Sequence, residues 1–383
     1  MAQGQCSTLV AYLREVPDPR GKQGRQYTWW HLLAIVSWAI LCGQKVVCGI
    51  AEWAQAHAEL LLEAWGEELP RVPSESTLRR ALRYVDVEEL ERHVAEFDEA
   101  MTACGPAAST ASTGGWEGQA LDGKEVRGAN THGAQLHLVS LVKQESGTVL
   151  DQQAVPAKTN EIKAAPELLQ GRDLHGLVIT GDALLTQRAL AQQILDQGGH
   201  YLMVVKRNQA ELYEDIHTLF AEPDWGPDDD RLSYTSHDHA HGRYETRTLT
   251  SSEQLWDYLQ WPGAQQVAQR ICTRRRHFTD PATPTVTYAV TSLSRQQATP
   301  EQLEHLWRGH WGIENRNHYV RDETLGEDRC QVFAGQAPHA LAALRSGVLA
   351  LIRTRPWRCV PQALRHYNAN PRDALLVIGL PFS

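Results

Sequence analysis

The order of apolar and polar positions divides the chain into stretches of different period. From 27 to 60 and again from 76 to 103, apolar residues recur at helical spacing. The most apolar run, Trp29 to Cys42, is about 14 residues long and contains His31, too short to span a bilayer, and reads as a buried helix. Between the two helical stretches lies Pro70-Arg71-Val72-Pro73-Ser74-Glu75-Ser76-Thr77-Leu78-Arg79-Arg80. Its serines suit an N-cap, and the first turns of the helix that follows carry Arg79, Arg80 and Arg83. A short helix, a turn and a basic helix make a candidate helix-turn-helix DNA reader. A helical bundle with a solvated basic face shows the same pattern.

Residues 106–115 are small and polar and read as a linker. The pattern then changes to strands: Gln119–Val126, Gln135–Val142 and Val149–Val155, joined by short connections. Asn160 is placed to cap a helix running to Leu169. Leu177–Thr180 is a fourth strand, Thr186–Asp196 a helix, Tyr201–Val205 a fifth strand and Gln209–Phe220 another helix. The order β-β-β-α-β-α-β-α predicts a mixed α/β sheet with helices packed on it, as in an RNase H-like domain. Residues 231–295 read as further β segments, and helical patterning returns from Glu301 to Arg353. The predicted organisation is an N-terminal all-α domain (1–105), a linker (106–115) and an RNase H-like core (116–230 and 298–383). A β-rich insertion (231–297) interrupts that core.

Three carboxylates fall where this layout would bring them together. Asp122 lies on the first strand in Ala120-Leu121-Asp122-Gly123-Lys124-Glu125, and Asp182 ends the fourth in Val178-Ile179-Thr180-Gly181-Asp182-Ala183. Strands one and four are neighbours in such a fold. Glu314 lies on the helix after the insertion, in His310-Trp311-Gly312-Ile313-Glu314-Asn315. Carboxylates around one point favour hard divalent cations, Mg²⁺ or Mn²⁺. A pair of such ions suits in-line displacement at phosphorus, where no side-chain nucleophile is needed. Taken singly, Asp182 also reads as a capping residue, Glu314 as a solvated acid and Asp122-Gly123 as a turn. Around Glu314, Trp307, Trp311, His318 and Arg321 recur at three- and four-residue steps and predict one helical stripe that grips nucleic acid. A core role for both tryptophans is the competing expectation.

Charge refines this picture. The 383 residues hold 37 Lys and Arg against 46 Asp and Glu, a net charge of −9, which taken alone argues against a nucleic-acid partner. Residues 211–230 contain eight carboxylates and no Lys or Arg, whereas 340–383 contain six Arg against one Asp. An acidic patch held away from a DNA path is therefore expected. That path is expected along Lys206, Arg207 and Asn208, along Arg243, Arg270 and Arg274-Arg275-Arg276, and along the C-terminal arginines. The seven cysteines are odd in number, scattered and without CxxC spacing, as in a reducing cytoplasmic setting. His237, His239 and His241 share one strand face, a weak zinc pattern without an evident fourth ligand.

Over nearly its whole length the chain resembles bacterial insertion-sequence transposases of the DDE type, in the ISAs-type group that includes the H-repeat-associated proteins. The resemblance rests on several motifs together. They are Val16-Pro17-Asp18-Pro19-Arg20, Leu121-Asp122-Gly123-Lys124, Lys158-Thr159-Asn160-Glu161-Ile162, Thr180-Gly181-Asp182-Ala183 and Val205-Lys206-Arg207-Asn208-Gln209. They continue with His241-Gly242-Arg243, Arg308-Gly309-His310-Trp311, Ile313-Glu314-Asn315 and Gly326-Glu327-Asp328. It implies that Asp122, Asp182 and Glu314 are a catalytic triad holding Mg²⁺ or Mn²⁺, two ions in all. The implied partners are terminal inverted repeats and target DNA, engaged by a homodimer. Related enzymes often carry Tyr, Arg and Lys around the Glu, and here those positions hold Trp307, His310 and Arg321. Two other classes share some of these features: a transposase-derived DNA-binding or nuclease protein that no longer transposes, and a paired-carboxylate glycosidase.

Overall fold

The computed structural model describes residues 8–21, 25–66, 69, 71–104, 110–131, 134–155, 161–222, 230–240, 242–276 and 284–380. The expected cap at Asn160 with Lys158-Thr159, positions 106–109 of the linker, His241 and positions 223–229 of the acidic stretch lie outside them.

Six helices open the chain: α1 (Leu9–Glu15), α2 (Trp29–Leu41), α3 (Val47–Ala56), α4 (Ala58–Trp65), α5 (Glu75–Tyr84) and α6 (Val87–Cys104). The apolar run becomes α2, buried almost all round, as a helix without a polar face must be. On α5, Leu78, Ala81 and Leu82 point inward and the arginines outward.

Among the described residues, nine strands form one sheet in the order β3-β2-β1-β4-β5-β9-β8-β7-β6. Its first part comprises β1 (Glu117–Thr131), β2 (Ala134–Lys143), β3 (Val149–Val155), β4 (Leu177–Gly181) and β5 (His200–Val205). Strand β2 runs antiparallel to both its neighbours, whereas β1, β4 and β5 are parallel. This is the mixed sheet that the strand order predicted. Helices α7 (Glu161–Leu169), α8 (Arg188–Asp196) and α9 (Ala210–Ala221) cover one face, sharing a core with Leu121, Leu141, Ile179 and Met203.

Strands β6 (Leu232–Ala240), β7 (Arg243–Ser252), β8 (Gln266–Arg275) and β9 (Thr285–Thr291) follow. The expected insertion does not stand apart, because β9 pairs antiparallel with β5 from Leu202↔Thr291 to Val205↔Tyr288. The added strands extend the same sheet and give the opposite face more surface. On that face lies α10 (Pro300–Gly312), packed against Val178, Leu202, Leu249 and Ala289. Its start is locally encoded: Thr299 and Gln302 form a reciprocal capping box and Pro300 occupies the first turn.

The chain ends in α11 (Ala337–Arg353), α12 (Val360–Ala369) and α13 (Pro371–Ile378). The sequence pattern assigns these to the RNase H-like core. Their apolar residues instead share one core with α1–α6, including Leu341, Leu344, Val348 and Leu375. Trp38 Nε1 donates to the Pro371 carbonyl at 2.9 Å, joining α2 to α13. Helix α11 is buried nearly all round, mostly among helices, with Ala342 set against Val126 of β1 and Leu138 of β2. Among the described residues, no helix is long and apolar enough to cross a membrane.

Candidate active site

Strand pairing brings the first two acids together. In the parallel ladder Ala120 faces Thr180 and Leu121 faces Gly181, so one further step places Asp122 beside Asp182. Side chains alternate across a strand, and Leu121 lies in the core with α7–α9. Asp122 therefore faces the side covered by α10 and the turns that follow it. Asp122 Oδ1 accepts from the Gly123 amide at 2.9 Å. Asp182 Oδ1 accepts from the amides of Leu184 at 2.9 Å and Leu185 at 3.1 Å. Capping-type bonds thus fix one oxygen of Asp182 while the residue stays at the strand end.

The third acid comes from the continuation of α10. The helix widens into π-helical turns over Ile313–His318 and Val320–Thr324. This brings Glu314 Oε2 to 3.2 Å from His318 Nδ1, which lies 3.8 Å from Asp122 Oδ2. Ligand atoms of Asp122, Glu314 and His318 all lie within 4.8 Å of one another. Asp182 is not part of that tight group, but its charge acts on Asp122. Burial first, then Asp182, then Glu314 and Glu161, push the Asp122 carboxyl up to about 7 against one opposing amide bond. Glu314 is shifted down, chiefly by its bond to His318. His318 is buried, and burial favours its neutral form.

This donor set fits a divalent cation. Two carboxylates and an imidazole whose neutral form is favoured converge, and burial, followed by the charge of Asp182, raises the Asp122 carboxyl. Among the described residues, the histidine-rich strand forms no such group. His237 bonds to Thr246 at 3.1 Å, and His239 stacks on Tyr244 with ring centres 4.2 Å apart.

Helix α10 is seated on the sheet by polar contacts that the sequence did not reveal. Thr180 Oγ1 lies 3.0 Å from His310 Nδ1 and accepts from Gln144 Nε2 at 2.8 Å. A methyl group on Gly118 or Gly309 would overlap the Gln144 side chain, so these glycines permit the close approach. Burial holds His310 down at about 4, hence neutral, and points it at Thr180 rather than at DNA.

The predicted stripe splits. Trp307, His318 and Arg321 are buried, whereas Trp311 (54% exposed) and Glu314 face outward. The split begins inside α10, where Leu303, Leu306, Trp307 and His310 form the buried side and Trp311 falls outside it; the π turns that follow place Glu314 outward and His318 inward. Arg321 is therefore not a DNA contact: it is fully buried and its Nε donates to Glu327 at 3.0 Å. His318 is buried and bonds to Glu314 at 3.2 Å. Arg270 is likewise withdrawn from the expected DNA path, buried with its guanidinium 4.4 Å from the Trp307 ring centre. The basic tail is less available than its charge suggests. Arg345 is buried, Arg353 donates to the Gly147 carbonyl at 2.5 Å, and Arg372 pairs with Glu63.

Other predicted contacts are exposed. Lys206, Arg207 and Asn208 follow β5 at the same sheet end as Asp182, and Asn208 Nδ2 bonds to the Ala183 carbonyl at 2.6 Å. Arg243 is exposed at the start of β7, and Arg275 is half-buried at the end of β8. Arg79, Arg80 and Arg83 line a groove of about 590 Å³ with Val332 and Phe333. Arg79 also pairs with Glu75 at 2.7 Å.

Two residues near the site were missed. Glu161 is buried with its carboxyl against Gly123, where no side chain intervenes. Its place in the Lys158–Ile162 motif was the available signal. Tyr319, 59% exposed, lies eight residues after Trp311 on the same helical stretch.

The Transposase DDE domain family matches residues 111–351 of this chain, and the DDE_Tnp_1-associated family matches residues 10–97. The chain is similar to “Putative transposase YncI” of Escherichia coli O157:H7, 29% identical over 362 residues, 90% of this chain and 87% of that protein. It is also similar to “H repeat-associated putative transposase YhhI” of Escherichia coli strain K12, 26% identical over 355 residues, 89% of each chain. Among solved structures, the piggyBac transposase in its synaptic complex with hairpin DNA covers 97% of this chain and 75% of that one, with a TM-score of 0.44 and 10% identity.

Proposed function

The chain belongs to the DDE transposase family, and from that premise we propose that it cuts and joins DNA at insertion-sequence ends through Asp122, Asp182 and Glu314. The observation that carries this reading is the convergence of Asp122, Glu314 and His318 within 4.8 Å, with the charge of Asp182 acting on Asp122. Asp122 and Glu314, with Asp182 beside them, are the residues that would hold Mg²⁺ or Mn²⁺, as a pair of ions. When bound, such ions supply positive charge that activates the attacking oxygen and stabilises the leaving one. His318 orients Glu314 through Oε2, and the amides of Leu184 and Leu185 orient Asp182.

In the first reaction a water oxygen bonds to phosphorus and the bond to the 3′ oxygen breaks, leaving a free 3′-hydroxyl. In the second, that hydroxyl attacks a phosphorus of target DNA and displaces its 3′ oxygen. Lys206 and Arg207 stand beside the Asp182 turn, where they would grip the flanking phosphates. Trp311 and Tyr319 offer exposed rings on either side of Glu314 for bases near the cut. The arginines of α5 provide a separate contact for duplex outside the cleavage point. Pairing of two ends implies a homodimer on DNA, acting in the bacterial cytoplasm.

The experiment is incubation of the protein with DNA carrying its flanking ends and Mg²⁺ or Mn²⁺. Nicks ending in 3′-hydroxyls, followed by joined products, are expected. Metal-independent products would overturn the reading.

A further inference from the structure

Between the proposed site and the helical body lies a buried cluster of charges to which the cleavage chemistry assigns no role. Glu327, in the Gly326-Glu327-Asp328 motif, is 0% exposed. Its Oε1 accepts from Lys124 Nζ at 2.5 Å and lies 2.9 Å from Arg321 Nη2. Its Oε2 accepts from Arg321 Nε at 3.0 Å and lies 3.5 Å from Arg345 Nη1. Lys124 Nζ also lies 2.5 Å from Asp322 Oδ1. Burial alone would raise the Glu327 carboxyl, but Arg321, Lys124 and Arg345 hold it far below the usual carboxylate range.

Each cation comes from a different element. Lys124 is two residues after Asp122 on β1, so the two side chains leave the strand on the same face. Arg321 is seven residues after Glu314 in the second π-helical stretch, and its Nη1 reaches Gln152 on β3 at 3.1 Å. Arg345 belongs to α11, and its Nη2 donates to the Lys45 carbonyl at 3.1 Å. One carboxylate therefore ties the strand of Asp122, the helix of Glu314 and His318, and the helical body.

Apolar side chains of the same size would fill this space without the desolvation that buried ions incur. What the ions add is direction: each oxygen of Glu327 accepts only from donors at set positions. π-helical turns are rare and frequent at functional sites, and here the first of them carries both Glu314 and His318, which meet Asp122.

We propose that Glu327 is a positioning residue that fixes the Glu314–His318 helix against the Asp122 strand through Lys124 and Arg321. The inference rests on the metal-site reading above. Outer partners of this kind typically change metal affinity by about 10- to 100-fold.

The test is Mn²⁺ binding to the full chain, followed by electron paramagnetic resonance, with thermal melting on the same samples. Glu327→Gln is expected to weaken Mn²⁺ binding by about 10-fold or more. Glu327→Asp, which keeps the charge, is expected to recover part of it. Should Glu327→Gln fail to fold, an apolar replacement of the cluster (Lys124→Met, Arg321→Met, Glu327→Leu, Arg345→Met) takes its place. That variant is expected to melt cooperatively yet bind Mn²⁺ weakly. A folded variant of either kind with wild-type Mn²⁺ affinity overturns the proposal. Asp122→Asn separates the two levels: if it binds Mn²⁺ as the wild type does, the metal-site reading itself fails and this inference with it.

Discussion

Asp122, within β1, and Asp182, immediately after the end of the parallel strand β4, lie one register step beyond the pairing of Leu121 with Gly181. After burial, the charge of Asp182 is the largest influence raising Asp122, which is pushed up to about 7 from 3.8. The folded chain therefore binds that proton more tightly than the unfolded chain does. In metal-free protein this carboxyl lowers stability as pH rises between about 4 and 7, by up to a few kcal/mol. In the presence of a chelator, the wild type should lose more melting temperature between pH 5 and pH 8 than Asp122→Asn does. Equal losses would show that Asp122 is an ordinary carboxylate.

Saturating Mg²⁺ should relieve the same repulsion. Added metal should raise the melting temperature of the wild type at pH 8 and have little effect on Asp122→Asn or Glu314→Gln. A thermal scan with and without metal checks this.

Gly123 separates Asp122 from the buried Glu161, and a methyl group at 123 would overlap the Glu161 carboxyl. Gly123→Ala should destabilise the protein by about 1–3 kcal/mol, as overpacking does, and displace Asp122. Shortening Glu161 in the same chain (Gly123→Ala with Glu161→Ala) should return part of the loss. Denaturant unfolding of both variants measures it, and additive effects would contradict the contact.

The exposed arginines of α5 should act through charge. Replacing Arg79, Arg80 and Arg83 by Ala should weaken binding to end DNA. The slope of log affinity against log salt should fall by about 2–3, near 0.9 for each phosphate no longer neutralised. Mn²⁺ binding should not change. An unaltered slope in a fluorescence-anisotropy titration would remove α5 from the DNA path.

What the sequence disclosed and what it concealed have separate physical causes. The strand order was legible because each strand is an apolar run bounded by turn residues, and the parallel pairing of β1 with β4 followed from it. That order also brings Asp122 and Asp182 together. The helix of Glu314 was legible as an element but not in its phase. Trp307, Trp311, His318 and Arg321 fit one stripe by spacing, yet Trp311 already leaves the buried side of Leu303, Trp307 and His310 within α10, and the π turns at Ile313–His318 and Val320–Thr324 alter the spacing further on. The arginines misled for another reason. A count of charges does not register burial, so Arg270 on Trp307, Arg321 on Glu327 and the buried Arg345 look in sequence like free surface cations. The acidic total misled because charge is unevenly spread: residues 211–230 hold eight carboxylates and no Lys or Arg.

In the proposed reaction Asp182 works with Asp122 and Glu314 in metal-dependent DNA cleavage. The most direct measurement compares wild type and Asp182→Ala on DNA carrying the flanking ends, scoring nicks in Mg²⁺ and DNA binding in its absence. Nicking is expected to fall by roughly a thousandfold, with binding largely kept. Undiminished nicking by Asp182→Ala would contradict that role.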